Sequence, residues 1–129
     1  MKNHKTNALI GIVDDDESVR VATQGLVRSL GYTACTFASA ADFLQSPRMN
    51  DTSCVIADVQ MPGMSGVELQ SLLIAQGRRT PMIFITAFHE ESVRARAMKA
   101  GAIGFLNKPF SGQTLIECLE MALRRRDRE

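Results

Sequence analysis

Short, largely apolar runs alternate along this chain with longer amphipathic stretches, and few folds accommodate that pattern. The apolar runs fall at about Leu9–Asp14, Tyr32–Phe37, Cys54–Asp58, Met82–Thr86 and Ala102–Leu106. Val55-Ile56-Ala57 and Ile83-Phe84-Ile85 lack the in–out alternation of half-exposed strands, as expected of strands covered on both faces. Between the runs the apolar residues take helical spacing. Val19, Ala22, Leu26 and Leu30 make one stripe ending at Gly31, a natural C-cap. Leu69, Leu72 and Leu73 make a second that ends near Gly77, and Val93, Ala97 and Ala100 a third, stopped by Gly101. Leu115, Leu119, Ala122 and Leu123 form a fourth after Ser111, a good N-cap. A short helix from about Ala40 to Gln45 is closed off by Pro47, and Pro47–Ser53 reads as a loop. Five strand–helix units in strict succession predict an α/β fold, a parallel sheet with helices on both faces.

Composition removes several function classes. At 129 residues the chain is expected to form a single domain, 1–129, with 1–7 a flexible lead-in. The formal net charge is +1, and the tail Arg124-Arg125-Arg126-Asp127-Arg128-Glu129 alone carries +2, so the body is at −1. A body of that sign gives no basic surface for direct nucleic-acid binding. Residues 124–129 read as the end of a last helix, where cations complement the carbonyl dipole, or as the start of a linker. The three cysteines, Cys35, Cys54 and Cys118, contain no CxxC pair and read as buried small apolar groups in a reducing, cytoplasmic setting. The first residues lead into too short an apolar stretch for a signal peptide, and no run approaches a membrane-spanning length.

The ends of the apolar runs carry the chemistry. Asp14 and Asp15 follow Ile10-Gly11-Ile12-Val13; Asp58 closes Cys54-Val55-Ile56-Ala57 and precedes Val59-Gln60-Met61-Pro62-Gly63. Thr86 follows Met82-Ile83-Phe84-Ile85, and Lys108 follows Ile103-Gly104-Phe105-Leu106 after one residue. In open parallel sheets, ligands bind outside the carboxyl ends of the strands, so these polar groups describe one site. If the first and third strands are neighbours, the three acids converge. Such crowding is tolerable only if one is protonated or a cation sits among them. Hard oxygen ligands favour Mg²⁺. The plainer reading is that Asp14–Asp16 cap the first helix. Lys108, before Pro109, would serve as counter-charge to the acids or to phosphoryl oxygens. Thr86 is either a β-branched strand residue or a hydroxyl that binds a phosphoryl oxygen. Asp58 then has a role as a carboxylate nucleophile that forms an aspartyl phosphate.

With these residues assembled, the chain resembles a response-regulator receiver domain, the CheY-like doubly wound (βα)5 fold with strand order 2-1-3-4-5. The resemblance rests on Ile12-Val13-Asp14-Asp15-Asp16-Glu17-Ser18-Val19-Arg20, Asp58 through Gly66, Ile85-Thr86-Ala87, and Met98-Lys99-Ala100-Gly101-Ala102 through Phe105-Leu106-Asn107-Lys108-Pro109-Phe110. Thr36 through Leu44 is similar to the FixJ branch, whose members commonly join a receiver to a helix-turn-helix domain. The resemblance implies that Asp58 accepts a phosphoryl group from a sensor histidine kinase. It implies that Asp15, Asp58 and the backbone carbonyl of Gln60 hold Mg²⁺, with Asp14 acting mainly through water. Thr86, Lys108 and the Ala87 backbone would hold the phosphoryl oxygens. Phe105 matches an aromatic whose rotamer follows the threonine, remodelling the face of the fourth helix, fifth strand and fifth helix, a face for a phosphorylation-dependent homodimer. As an ordinary core residue it needs no switch.

Some positions depart from that pattern. Gly104 stands where an acid is frequent, and Asn107 where glutamate or threonine is common. Phe88 comes where FixJ-like chains tend to place histidine, with His89 next. Phe88 is thus a candidate shield of the phosphoryl group, and His89 an exposed loop residue. A flavin-binding protein of this architecture would want a hydroxyl- and glycine-rich loop where this chain has Asp14-Asp15-Asp16. An aspartate phosphatase would want a second acid where Gln60 stands. A stand-alone receiver acting by protein contact, and a receiver-like scaffold that works without phosphorylation, remain alternatives.

Overall fold

A computed structural model describes residues 8–127. The expected flexible lead-in, 1–7, and the last two residues of the chain lie outside the described residues. Strands β1 (Leu9–Val13), β2 (Thr33–Phe37), β3 (Cys54–Asp58), β4 (Met82–Thr86) and β5 (Gly104–Asn107) alternate with helices α1 (Glu17–Ser29), α2 (Ala40–Gln45), α3 (Gly66–Ala75), α4 (Glu91–Lys99) and α5 (Gly112–Asp127). All strands pair in parallel in the order β2-β1-β3-β4-β5. The chain adds β2 on one side of β1 and β3 on the other, and this reversal of strand order between β1 and β3 opens the crevice where such sheets bind ligands.

Side chains of the central strands point alternately to two apolar layers. Ile10, Ile12, Ile56, Ile83 and Ile85 meet Val27 of α1 and Leu115, Leu119, Ala122 and Leu123 of α5. Val13, Val55, Ala57 and Phe84 meet Phe43 of α2, Leu69 and Leu73 of α3 and Ala97 of α4. Every residue of β1, β3 and β4 is buried, which is why these runs read as continuously apolar. Edge strand β2 exposes Thr33 and Thr36 and reads less clearly.

Several expectations shift in detail. The buried stripe of α1 is carried by Thr23 and Val27, with Val19, Leu26 and Leu30 packed beside it, while Ala22 is exposed. The Pro47–Ser53 stretch is not a plain loop: Met49–Asp51 makes one 3₁₀ turn. The last strand starts at Gly104 rather than Ala102. Of the cysteines only Cys54 is buried; Cys35 and Cys118 are half-buried. Burial pushes the Cys54 thiol up to about 12. Arg124–Arg126 do extend the last helix, and Arg125 Nη1 donates to the Gly101 carbonyl at 2.7 Å.

The glycine at 104 has a steric cause. A Cβ built there would lie 2.6 Å from Cys118 Sγ on α5. The helix therefore packs into the space that a side chain on β5 would need.

Candidate functional site

Register brings the acids together. Val13 pairs with Ala57, so the next residues, Asp14 and Asp58, emerge side by side at the carboxyl ends of β1 and β3. Carboxylate oxygens of Asp14, Asp15 and Asp58 all lie within 4.8 Å of one another. Asp14 is fully buried, Asp58 is 6% exposed and Asp15 faces outward. Lys108, delivered from β5 across the sheet, donates from Nζ to Asp58 Oδ2 at 3.0 Å and to Asp14 Oδ2 at 3.1 Å. The Lys108-Pro109 bond is cis.

The electrostatics follow from burial. Loss of water raises the pKa of Asp14; the Asp16 amide opposes that, the charge on Asp58 adds to it, and Lys108 opposes it, leaving a net rise. Burial alone would lower the pKa of Lys108, but its bonds to Asp58 and Asp14 and their charges hold it above the ordinary lysine value. The ammonium is therefore charged and shared.

Three adjacent acids have three different jobs. Asp14 accepts from the Asp16 amide at 2.9 Å and faces Lys108. Asp16, not the whole triplet, caps α1, accepting from the amides of Ser18 and Val19 at 2.9 and 3.3 Å. Asp15 is left to the open side of the pocket. Arg20, one turn into α1, donates to the Asp14 carbonyl at 2.7 Å and ties the loop to the helix; sequence reasoning gave it no separate role. On β3, the Gln60 amide donates to Asp58 Oδ1 at 3.1 Å. Gly66 allows α3 to begin against the carbonyl of Asp58: a Cβ at 66 would overlap that oxygen. The helix is fixed there by a capping box between Ser65 and Glu68.

The β4 side is arranged differently. Thr86 is buried, and its hydroxyl donates to the Phe88 carbonyl at 3.0 Å and accepts from the Phe88 amide at 3.1 Å. The hydroxyl is thus engaged with its own loop, while the Thr86 carbonyl accepts from the Lys108 amide at 2.7 Å. Ala87 is exposed next to it. Phe88 is 67% exposed, the largest exposure among the large apolar residues described. Phe105 is half-buried, tilted against Phe84 and met edge-on by His89. His89 is not merely exposed, since its ring nitrogens reach Asn107 Oδ1 and Glu91 Oε1. That network joins residues eighteen positions apart and has no local sequence signal.

A buried carboxylate at a strand end, paired acids and a bridging ammonium suit handling of a phosphoryl group. The chain matches the response regulator receiver domain family over residues 10–120. It belongs to that family. Nodulation protein W of Bradyrhizobium diazoefficiens is 40% identical over 96% of this chain and 54% of its own length. The transcriptional regulatory protein FixJ of Azorhizobium caulinodans is 36% identical over 90% of this chain and 55% of its own. The receiver thus spans about half the length of these relatives. Among solved structures, the response regulator StyR superposes with a TM-score of 0.87 at 43% identity, over 95% of this chain and 62% of the other. FixJ-N superposes at 0.82 with 33% identity, over 96% of both.

The receiver has the CheY-like doubly wound fold and is a signalling module of the two-component kind, a class whose relatives imply a kinase partner. Receivers of this family generally bind Mg²⁺ in an acidic pocket, and Asp14, Asp15 and Asp58 form such a cluster here. Among the described residues no helix is long and apolar enough to cross a membrane.

Proposed function

We propose that this receiver accepts a phosphoryl group on Asp58 from the phosphohistidine of a sensor kinase. The observation that carries the reading is Lys108 Nζ, within hydrogen-bond distance of both Asp58 and Asp14 at the ends of neighbouring strands. In the transfer an Asp58 carboxylate oxygen attacks phosphorus. A P–O bond forms, the P–N bond to the kinase imidazole breaks, and its electron pair leaves with the imidazole nitrogen. Such a step needs alignment and charge neutralisation more than covalent help.

Asp15, Asp58 and the Gln60 carbonyl would hold Mg²⁺, with Asp14 acting through water; an oxygen-only donor set with three clustered carboxylates suits that ion. When bound, the ion neutralises charge on the phosphoryl oxygens. Lys108 supplies the protein's own cation, and Thr86 and the Ala87 amide bind the remaining oxygens. To do so Thr86 gives up its two bonds to Phe88, and Phe105 takes the space left behind. The altered face of α4, β5 and α5 then offers a surface for a second receiver.

On this reading residues 1–129 are one domain, working in the cytoplasm, with no free-substrate turnover beyond its own phosphorylation and dephosphorylation. The match to the transcriptional regulatory protein FixJ supports a role in transcriptional control if the receiver is joined to a helix-turn-helix domain, the receiver itself leaving nucleic acid alone. Native mass spectrometry with Mg²⁺ and acetyl phosphate tests the chemistry. One phosphoryl adduct on the wild type and none on Asp58→Ala is expected. No adduct on the folded wild type would overturn it.

A further inference from the structure

His89 closes a short circuit around the end of β4. Thr86 and Asn107 are register partners on β4 and β5. Three residues after Thr86 the chain comes back to Asn107 through the His89 ring, Nδ1 lying 3.2 Å from Asn107 Oδ1. The other nitrogen, Nε2, lies 3.3 Å from Glu91 Oε1 in the first turn of α4. The ring edge meets Phe105, centroids 6.0 Å apart at 85°. One side chain therefore touches Asn107 at the end of β5, Glu91 at the start of α4 and the aromatic ring of Phe105 on β5.

The two partners are both acceptors. A carboxylate and an amide oxygen cannot donate, and a neutral imidazole has one N–H to give. Only the imidazolium satisfies both bonds. Other charges on that side are Glu90 and Arg94 near the start of α4; Arg94 grips Glu91 through three contacts of 2.6–3.1 Å. Those bonds, more than His89, hold the Glu91 carboxyl down to about 2, so it stays ionised throughout the histidine range. On the β5 side Asn107 is uncharged, and Lys108 is engaged by Asp14 and Asp58.

We infer that protonated His89 is a positioning residue that clips the loop after β4 to Asn107, Glu91 and Phe105, and so keeps the Thr86 hydroxyl on Phe88 and away from Asp58. The inference rests on the phosphoacceptor reading of Asp58. Thr86 reaches a phosphoryl oxygen only by releasing Phe88, and the clip opposes that movement. Protonation of His89 therefore slows the rearrangement by which Thr86 reaches a phosphoryl group on Asp58. The loop geometry thus gives this receiver a brake that tightens as pH falls through the range of histidine.

Two measurements decide it, the first needing no phosphorylation. Ring ¹⁵N spectra resolve imidazolium from either neutral tautomer; the chain has only two histidines, and His4→Gln assigns the second. Glu91→Gln and Asn107→Ala each remove an acceptor from the imidazolium, so each is expected to reduce the share of His89 in the imidazolium form at a given pH. An unchanged share overturns the clip. A share raised by Asn107→Ala would mean that the amide is turned to donate to a neutral ring, and overturns it too.

The second is the initial rate of adduct formation with Mg²⁺ and acetyl phosphate, for wild type and His89→Ala. The ratio of variant to wild type is expected to be about threefold at about pH 6 and near one at about pH 8. A ratio independent of pH leaves Asp58 as acceptor and overturns the coupling. No adduct on either protein removes the phosphoacceptor reading, and the coupling with it, while the spectra still report on the clip.

Discussion

Helices α4 and α5 flank β5 on opposite faces and are held by very different means. Leu115, Leu119, Ala122 and Leu123 of α5 are all buried against the isoleucines of the sheet. On α4 Ala97 is the one residue fully buried, with Val93 and Met98 half-covered. The N-cap of α4, Glu90, makes no side-chain capping bond, whereas α1, α2 and α3 each have one. Burial of large aliphatic side chains anchors α5; α4 depends on small contacts and on the loop that follows Thr86. Local stability along that loop and α4 therefore has fewer contributors than around α5.

Single substitutions should expose the contrast. Leu119→Ala is expected to cost about 3 kcal/mol in urea unfolding, and Val93→Ala about 1 kcal/mol, since the first empties a closed site and the second a partly open one. Equal losses would remove the difference between the helices. Gly104→Ala tests whether α5 is packed as tightly as it looks. It should cost about 2 kcal/mol by pushing a methyl into Cys118 Sγ, and Cys118→Ala should recover most of that. An additive double variant would show that the close approach carries no strain.

The acid pocket adds an effect of the opposite sign. Because burial raises the pKa of Asp14 above that of an unfolded aspartate, its ionised form is paid for in folding stability at neutral pH. Asp14→Asn should therefore stabilise the metal-free protein at pH 7 in urea unfolding. The sign matters: the native state binds the proton more tightly, so the penalty is full above the folded pKa and shrinks as pH falls through it. Below the unfolded value of an aspartate the advantage of the variant should be gone. A gain that grew with acidity would mean that Lys108, rather than desolvation, dominates Asp14.

Much of this was legible in the chain before any coordinates. Cys54–Asp58 and Met82–Thr86 were readable to the residue because strands covered on both faces leave nothing polar in the run. Ala40–Gln45 was readable from its closing Pro47. The α1 stripe slipped by one position because a buried threonine, Thr23, looks like a surface residue in a pattern of apolar spacing. The division of labour among Asp14, Asp15 and Asp16 was not legible, since capping, ion pairing and metal binding all ask for the same side chain. Asp14, Asp15, Asp58 and Lys108 were found as strand endings, and the structure brings them together. The His89–Asn107 contact was beyond sequence reasoning, because it needs the β4–β5 register to exist first.

The account turns on Asp58 being the group that reacts. Reductive trapping converts an aspartyl phosphate to homoserine, which peptide mass mapping places at a residue. After exposure to Mg²⁺ and acetyl phosphate, the predicted result is homoserine at position 58 alone, absent when Lys108 is replaced by alanine or strongly reduced. Homoserine at Asp14, Asp15 or any other acid, with position 58 unmodified, would contradict it.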